Sequence, residues 1–80
     1  MDGLPQLNKK YHVEFIGDRK DRGTGDIKVL NIITDAEGYL FDCRVIKGRF
    51  QIDYNSMSKT REVGNIICIR PYNTNLTPIN

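Results

Sequence analysis

The alternation of residues in segment 26–54 constrains the fold of this chain more than any other feature. The segment reads DIKVLNIITDAEGYLFDCRVIKGRFQIDY, with apolar residues largely at every second position. A period of two indicates β-strands that bury one face. Residues 35–38 have the composition of a tight turn, and residues 47–49 that of a short hairpin with glycine at the bend. The segment therefore predicts three consecutive strands, at 26–34, 39–46 and 50–54.

Two further strands are predicted on either side of this segment. Residues 10–16, KYHVEFI, alternate in the same way, and residues 63–70 are rich in isoleucine and end before a proline. Residues 55–62, NSMSKTRE, are the one candidate for a short helical turn of 3₁₀ type, because asparagine and serine there can cap it. The sequence thus predicts an all-β fold, a small five-stranded antiparallel barrel.

The predicted plan is similar to that of SH3-like barrels, which have five short strands, a long first loop and a helical turn before the last strand. The likeness is architectural, since the aromatic motifs of peptide-binding SH3 domains are missing. An OB-like barrel is the alternative, although that fold usually places a helix between its third and fourth strands, where this chain has only residues 47–49.

The chain length predicts a single domain over residues 1–80, with residues 1–8 and 73–80 loosely ordered. Twelve basic and ten acidic side chains give a formal net charge of +2, which by itself implies no class of partner. Neither a membrane-spanning apolar run nor a signal peptide is recognisable, so a cytoplasmic location is expected. Cys43 and Cys68 are interpreted as reduced, buried thiols, with a cross-strand disulfide as the alternative.

The charged residues predict a basic surface if consecutive strands run antiparallel. The long loop 17–25 and the hairpin 47–49 would then lie at one end of the barrel. An anionic partner such as the phosphate backbone of nucleic acid would bind there, and an exposed tyrosine could stack on a base. The alternative is an ordinary solvated loop in which nearby aspartates neutralise the cations. The candidate binding residues are Arg19, Lys20, Arg22, Lys28, Arg44, Lys47, Arg49, Arg70 and Tyr72.

A second candidate surface is apolar. The alternation places Leu30, Ile32, Leu40 and Ile46 on the face opposite the main core. Apolar residues gathered on an outward surface often mark a protein interface. Alternatively, a curled barrel or a terminal segment covers them, or the edge of a second copy pairs with this chain.

The sequence gives little support for catalysis. His12 is the only histidine, and its expected neighbour on the same strand face is Glu14. No serine or cysteine has an obvious general base, and no spacing of residues predicts a metal site or a cofactor site. We therefore expect a non-catalytic binding module that docks on a protein partner or on itself, with the basic end steering association. Binding of nucleic acid through loop 17–25 and hairpin 47–49 is the alternative. The small size also suits a virus-encoded accessory protein.

Overall fold

The computed structural model describes residues 5–16, 21–54 and 57–79, of which 53, 54, 57 and 58 are described by their backbone alone. The described chain forms strands joined by short turns, together with one 3₁₀ turn at Pro71–Asn73. The strands are β1 (Lys10–Phe15), β2 (Arg22–Asp35), β3 (Gly38–Tyr54), β4 (Met57–Arg61), β5 (Ile66–Ile69) and β6 (Thr74–Ile79). None of its helical segments has the length and apolarity needed to cross a bilayer.

These strands form one antiparallel sheet in the order β4–β3–β2–β1–β6, and β5 also pairs with β3. β4 and β5 lie along the same edge of β3, because Phe50 pairs with Arg61 and Arg44 pairs with Ile66. Hydrogen bonds from the Gly64 N–H to the Val45 carbonyl (2.9 Å) and from the Val45 N–H to the Asn65 carbonyl (2.9 Å) hold the turn between them against β3. β4 and β5 therefore behave as one interrupted strand.

The prediction of a closed five-stranded barrel is wrong, because the sheet is open and has six strands in the described residues. The path of paired strands ends at β4 on one side and at β6 on the other. β6 finds its partner in β1, while β4 pairs with the last residues of β3. No ladder of hydrogen bonds joins these two edges within the described ranges, so the sheet does not close on itself.

The prediction of a hairpin at residues 47–49 is also wrong, because β3 continues straight through them. Gly48, with a φ of +88°, lies opposite Gly25 of β2. The pairing shifts register here, since Asp26 pairs with Lys47 while Ile27 pairs with Val45. One extra residue on β3 is a β-bulge, which bends a strand and increases its twist without reversing the chain.

Three further boundaries differ from those predicted. β2 begins at Arg22, so residues 22–25 of the predicted loop 17–25 are strand. Residues 57–61 form β4, so the helical turn predicted for 55–62 is absent from the described part of that segment, and the 3₁₀ turn instead precedes the last strand. The tail that was expected to be loosely ordered forms β6, because its backbone pairs with β1 along its whole length.

The core lies on the inner face of the curled sheet and follows the predicted alternation closely. Tyr39 is an exception, since it has the same place in the alternation as Phe41 and Cys43 but is 41 % exposed near the turn between β2 and β3. Burial of each large apolar side chain contributes about 1.5–3 kcal/mol to folding. The buried cluster comprises Tyr11, Val13, Ile27, Val29, Phe41, Cys43, Val45, Phe50, Ile67 and Ile69.

Candidate anion-binding face

Three cationic side chains lie directly opposite one another on the three central strands. Lys10 of β1 pairs with Lys28 of β2, and Lys28 pairs with Arg44 of β3. Their chain neighbours Tyr11 and Val29 belong to the buried core, so the three side chains leave the opposite, outer face of the sheet. Lys10 and Arg44 are exposed and Lys28 is half-buried. We call Lys10, Lys28 and Arg44 the cationic row.

The cationic row has no acidic partner in the described part of the chain. The ion pairs there involve other residues, and none joins a carboxylate to Lys10, Lys28 or Arg44. Like charges placed directly opposite each other on neighbouring strands repel and destabilise the pairing. An anion bound along the row would relieve this repulsion, so the arrangement favours a bound anion electrostatically.

Apolar residues stand at both ends of the cationic row. Ile66 of β5 lies opposite Arg44, and Ile79 of β6 lies opposite Lys10. Ile66 is 45 % exposed. The line across five strands thus reads isoleucine, three cations, isoleucine.

Two carboxylates flank the row along the strand direction, and each already has a hydrogen-bond donor. Asp26 lies two residues from Lys28, and its Oδ1 is 2.9 Å from the Nδ1 atom of His12. Asp42 lies two residues from Arg44, and its Oδ1 accepts a hydrogen bond of 3.0 Å from the Cys68 thiol. These contacts take up part of the hydrogen-bonding capacity of both carboxylates, and their charges border the row on either side.

His12 belongs to a small polar network beside the row, and its partner is Asp26 rather than the predicted Glu14. Its Nε2 atom is 3.2 Å from the Thr24 hydroxyl, which donates a hydrogen bond of 3.1 Å to the Val13 carbonyl. This order of carboxylate, imidazole and hydroxyl superficially resembles a catalytic triad. The hydroxyl has a single proton, however, and the Val13 carbonyl lies at hydrogen-bonding distance and competes with the imidazole for it.

A shallow cavity of about 470 Å³ adjoins this network. It lies where the backbones of the neighbouring strands β2 and β3 approach each other closely, at Gly25 and Gly48. Its lining is mixed in charge, so it is less suited to an anion than the row itself. The lining residues are His12, Thr24, Gly25, Asp26, Lys47, Gly48 and Ile79.

Other predicted basic residues are spread along β2 and β3 rather than gathered at one end. Arg22 starts β2 and is exposed, and Lys47 is exposed opposite Asp26. Arg49 forms an ion pair of 2.9 Å with Glu62, in which both side chains are exposed. Exposed pairs of this kind contribute about 0–1 kcal/mol. The predicted residues Arg19 and Lys20 lie outside the described residues.

Arg70 and Tyr72 lie at the far end of the sheet, near the turn between β2 and β3. The two terminal nitrogens of Arg70 hold both oxygens of Asp35, at 3.1 and 2.8 Å, and one lies 3.3 Å from Glu37. The hydrogen bonds from Arg70, with one from the Glu37 N–H, hold the pKa of Asp35 below its ordinary value of 3.8. Tyr72 is 54 % exposed. Arg70 thus anchors a turn instead of joining the cationic row.

The structure divides the four residues of the predicted protein interface, because Ile32 was predicted on the face opposite the core but lies opposite the buried Phe41. All four are half-buried, and Ile32 packs against the core cluster. The large apolar side chains with the greatest exposure lie elsewhere, on Leu7, Ile16, Tyr39, Val63, Ile66 and Tyr72. The half-buried set is Leu30, Ile32, Leu40 and Ile46.

The two cysteines point to opposite faces of the sheet and are both free. Cys43 is buried in the core, whereas Cys68 is exposed next to Asp42. Burial raises the pKa of the Cys43 thiol to about 12, and burial together with the hydrogen bond to Asp42 raises that of Cys68 to about 11. Both thiols are therefore poor nucleophiles near neutral pH. The described residues include no cluster of three or more His, Cys, Asp or Glu side chains that could hold a metal ion.

Lys10 is the member of the cationic row that the sequence prediction missed. The first strand was predicted, but its register against the second strand depends on where β2 begins. The glycine-rich residues 17–25 were predicted as a loop, so the start of β2 was not predicted. The pattern of lysine two positions before a histidine on an alternating strand shows only that Lys10 faces outward. Its position opposite Lys28 follows from the observed pairing.

Comparison of the chain with models of protein families, with curated proteins and with solved structures found no match. The function must therefore be inferred from the chemistry of this outer face.

Proposed function

We propose that this protein is a non-catalytic binding module that holds the phosphate backbone of nucleic acid on the cationic row. The observation that carries the proposal is the alignment of Lys10, Lys28 and Arg44 on adjacent strands with no carboxylate partner among the described residues. Contacts between phosphate groups and lysine or arginine supply most of the non-specific affinity of proteins for nucleic acid.

The geometry of the row sets the size of the expected effect. Neighbouring strands are about 4.8 Å apart, so the Cα atoms of the two outer residues are about 10 Å apart. Three cations can then contact about three phosphates. The logarithm of the affinity for a duplex should fall with the logarithm of salt concentration with a slope of about −0.9 for each phosphate, or about −2.7 in total. Affinity should thus drop about 40-fold between 50 and 200 mM salt.

The test uses a labelled hairpin that combines a duplex stem with a long single-stranded tail, so that either form of nucleic acid can bind. Fluorescence anisotropy would compare the wild-type protein with the triple variant Lys10→Gln, Lys28→Gln, Arg44→Gln. Lys59→Gln is the matched control, because Lys59 is an exposed cation on β4, outside the row. We expect the triple variant to lose at least tenfold in affinity and the control to bind like wild type. A triple variant that binds as tightly as wild type would refute the proposal.

The triple variant should remain folded, which keeps this test interpretable. All three side chains leave the outer face, and their replacement removes like charges that repel across the strands. Circular dichroism should show an unchanged β-sheet spectrum and an unfolding temperature at or above that of wild type.

Docking of a protein partner with an acidic surface is the second candidate function. The exposed Ile66 beside Arg44 favours it, because phosphate makes no use of an apolar contact whereas a protein surface does. The half-buried residues Leu30, Leu40 and Ile46 would border such an interface, or one between two copies of this chain. A protein that is retained by the wild type after nuclease treatment and at high salt, but is lost with Ile66→Asp, would support this candidate.

A non-catalytic role and a cytoplasmic location are part of the proposal. The Thr24 hydroxyl donates a hydrogen bond of 3.1 Å to the Val13 carbonyl, a contact that competes with activation of the hydroxyl by His12. The two free thiols, with raised pKa values and on opposite faces, support a reducing compartment in which no disulfide is needed.

For the fold, we favour an open variant of the SH3-like plan over an OB-like one. The first and last strands are neighbours, and the 3₁₀ turn at Pro71–Asn73 directly precedes the last strand. Both features support SH3-like connectivity. An experimental structure that places β6 beside a strand other than β1 would refute this assignment.

A further inference from the structure

We infer that the ligand of the cationic row is the backbone of duplex nucleic acid, bound without regard to base sequence. This inference rests on the proposed function and narrows its ligand from nucleic acid in general to one form of it. Three properties of the outer face carry it: the residues at the ends of the row, the carboxylates on its sides, and the fixed spacing of its members.

The first property is that the row ends in aliphatic residues instead of aromatic ones. Ile66 and Ile79 occupy the two positions that continue the row. Proteins that bind single strands gain much of their affinity from bases that stack on aromatic rings. The exposed Tyr39 lies five residues from Arg44 along β3, or about 17 Å away. The row therefore offers a single strand little beyond its charge.

The second property is the pair of carboxylates that border the row. Asp26 and Asp42 each lie two residues along a strand from a member of the row, a distance of about 7 Å. Their negative charges disfavour phosphates placed on either side of the row. The face therefore accepts one line of phosphates and repels a backbone that spreads across the sheet.

The third property is that backbone pairing fixes the spacing of the row, because its members lie directly opposite one another on three neighbouring strands. A duplex presents its phosphates in a fixed line, with a rise of about 3.4 Å per phosphate along each strand. The long side chains of lysine and arginine can span the difference in spacing. A flexible single strand would first have to be ordered along the row, at a cost in conformational entropy.

The same three side chains explain why binding should be independent of sequence. Contacts to phosphate position a protein on nucleic acid but carry no information about the bases. Reading of base edges needs an element that enters a groove, such as a helix or a two-stranded ribbon. The row instead lies on the outer face of the central strands β1, β2 and β3.

The experiment measures fluorescence anisotropy with two labelled 20-base-pair duplexes of unrelated sequence and with two 20-nucleotide single strands, one of them oligo(dT). At 50 mM salt we expect the duplexes to bind with affinities within twofold of each other and at least fivefold more tightly than either single strand. A single strand that binds as tightly as the duplexes, or duplexes that differ by more than tenfold, would overturn the inference.

Single variants give a second measurement that does not depend on comparing ligands. For duplex, the slope of log affinity against log salt concentration should become less steep by about 0.9 in Lys28→Gln, because one phosphate contact is lost. Lys59→Gln should leave the slope unchanged. An unchanged slope for Lys28→Gln, or loss of affinity in Tyr72→Leu, would place the contact elsewhere and overturn the inference.

The two proposals fail in distinguishable ways. If the hairpin with stem and tail does not bind at all, the proposed function fails and this inference fails with it. If a single strand binds best and the triple variant at Lys10, Lys28 and Arg44 abolishes that binding, the proposed function stands and only the preference for duplex is refuted.

Discussion

Replacing Gly25 with alanine would add a methyl group at a position where the backbone of β2 lies close to that of its neighbour β3. A Cβ atom there would overlap the carbonyl oxygen of Lys47 and would lie 3.1 Å from the Cα of Gly48. Both neighbours are backbone atoms, so the strands themselves must move apart. Overpacking of this kind lowers the free energy of unfolding by about 1–3 kcal/mol. Alanine also reduces the conformational entropy of the unfolded chain, which offsets about 0.4–1 kcal/mol of that loss. Because the overlap is with backbone, we expect a net loss of about 2 kcal/mol.

Two companion variants separate steric overlap from backbone strain. Gly64 has a φ of +94° with no atom within 4 Å of an added Cβ, so Gly64→Ala carries strain alone, about 1–2 kcal/mol. Gly48 combines a φ of +88° with an added Cβ only 2.5 Å from the Thr24 carbonyl oxygen. Gly48→Ala should therefore be the least stable of the three variants, losing about 3–4 kcal/mol.

Thermal unfolding followed by far-ultraviolet circular dichroism would measure these differences. For a domain of this size, 2 kcal/mol corresponds to a fall in Tm of about 8–16 °C. If Gly25→Ala melts at the wild-type temperature, the backbones of β2 and β3 are further apart at Gly25 than described above. Such a result would refute the close contact of Gly25 with the backbone of Lys47 and Gly48, and with it the pairing described above.

Three further predictions concern the anchored turn, the thiols and the core. The pKa of Asp35 is lowered in the folded protein, so its stabilising contribution is present above its ordinary value of 3.8 and is lost as pH falls through the lower, folded value. Arg70→Gln removes the hydrogen bonds that mainly lower the pKa of Asp35, so the Tm of this variant should fall less than that of wild type on acidification below about pH 4. An equal fall in Tm would contradict the proposed coupling between Asp35 protonation and stability. Iodoacetamide should label Cys68 slowly and Cys43 only after unfolding, since burial raises the pKa of Cys43 to about 12; mass spectrometry showing two adducts on the native protein would contradict this. Phe50→Ala removes a fully buried ring and should lower the free energy of unfolding by about 3–5 kcal/mol in urea titrations, and a loss below about 1 kcal/mol would show that the ring is not in the core.

The strands with clean alternation could be predicted from the sequence because burial of one face dictates a period of two. The first strand, predicted at 10–16, is observed at Lys10–Phe15. The turn predicted at 35–38 is confirmed, with β2 ending at Asp35 and β3 beginning at Gly38, which has a φ of +110°. These features are local, and the residues that determine them are adjacent in the chain.

The continuity of β3 could not be predicted, because a change in the phase of alternation has two physical explanations. Val45 and Phe50 both face the core, although their positions in the chain differ by five, which is an odd number. Either a hairpin or a β-bulge produces this change, and Gly48 suits both. The outcome depends on the close contact with Gly25, which is distant in sequence.

The cationic row was only partly predictable for the same reason. Lys28 and Arg44 were selected as basic residues, but on the assumption that the chain turned at 47–49. The row exists because of the register among three strands, and register is set by where each strand begins and by the bulge. Net charge gave no indication of it, since the acids of the chain nearly balance its bases.

The position of β1 between β2 and β6 has a consequence for how this protein is made. Phe15 pairs with Thr74 and Lys10 pairs with Ile79, so β1 receives its second partner only from a segment that is synthesised much later than β1. A nascent chain on the ribosome would hold β1 as an open edge until β6 emerges. Pairings between segments so distant in sequence also slow folding. A circular permutant that joins residue 79 to residue 10 through a short linker, and opens the chain at residues 62–65, would make these partners neighbours in sequence and should fold faster than the natural order.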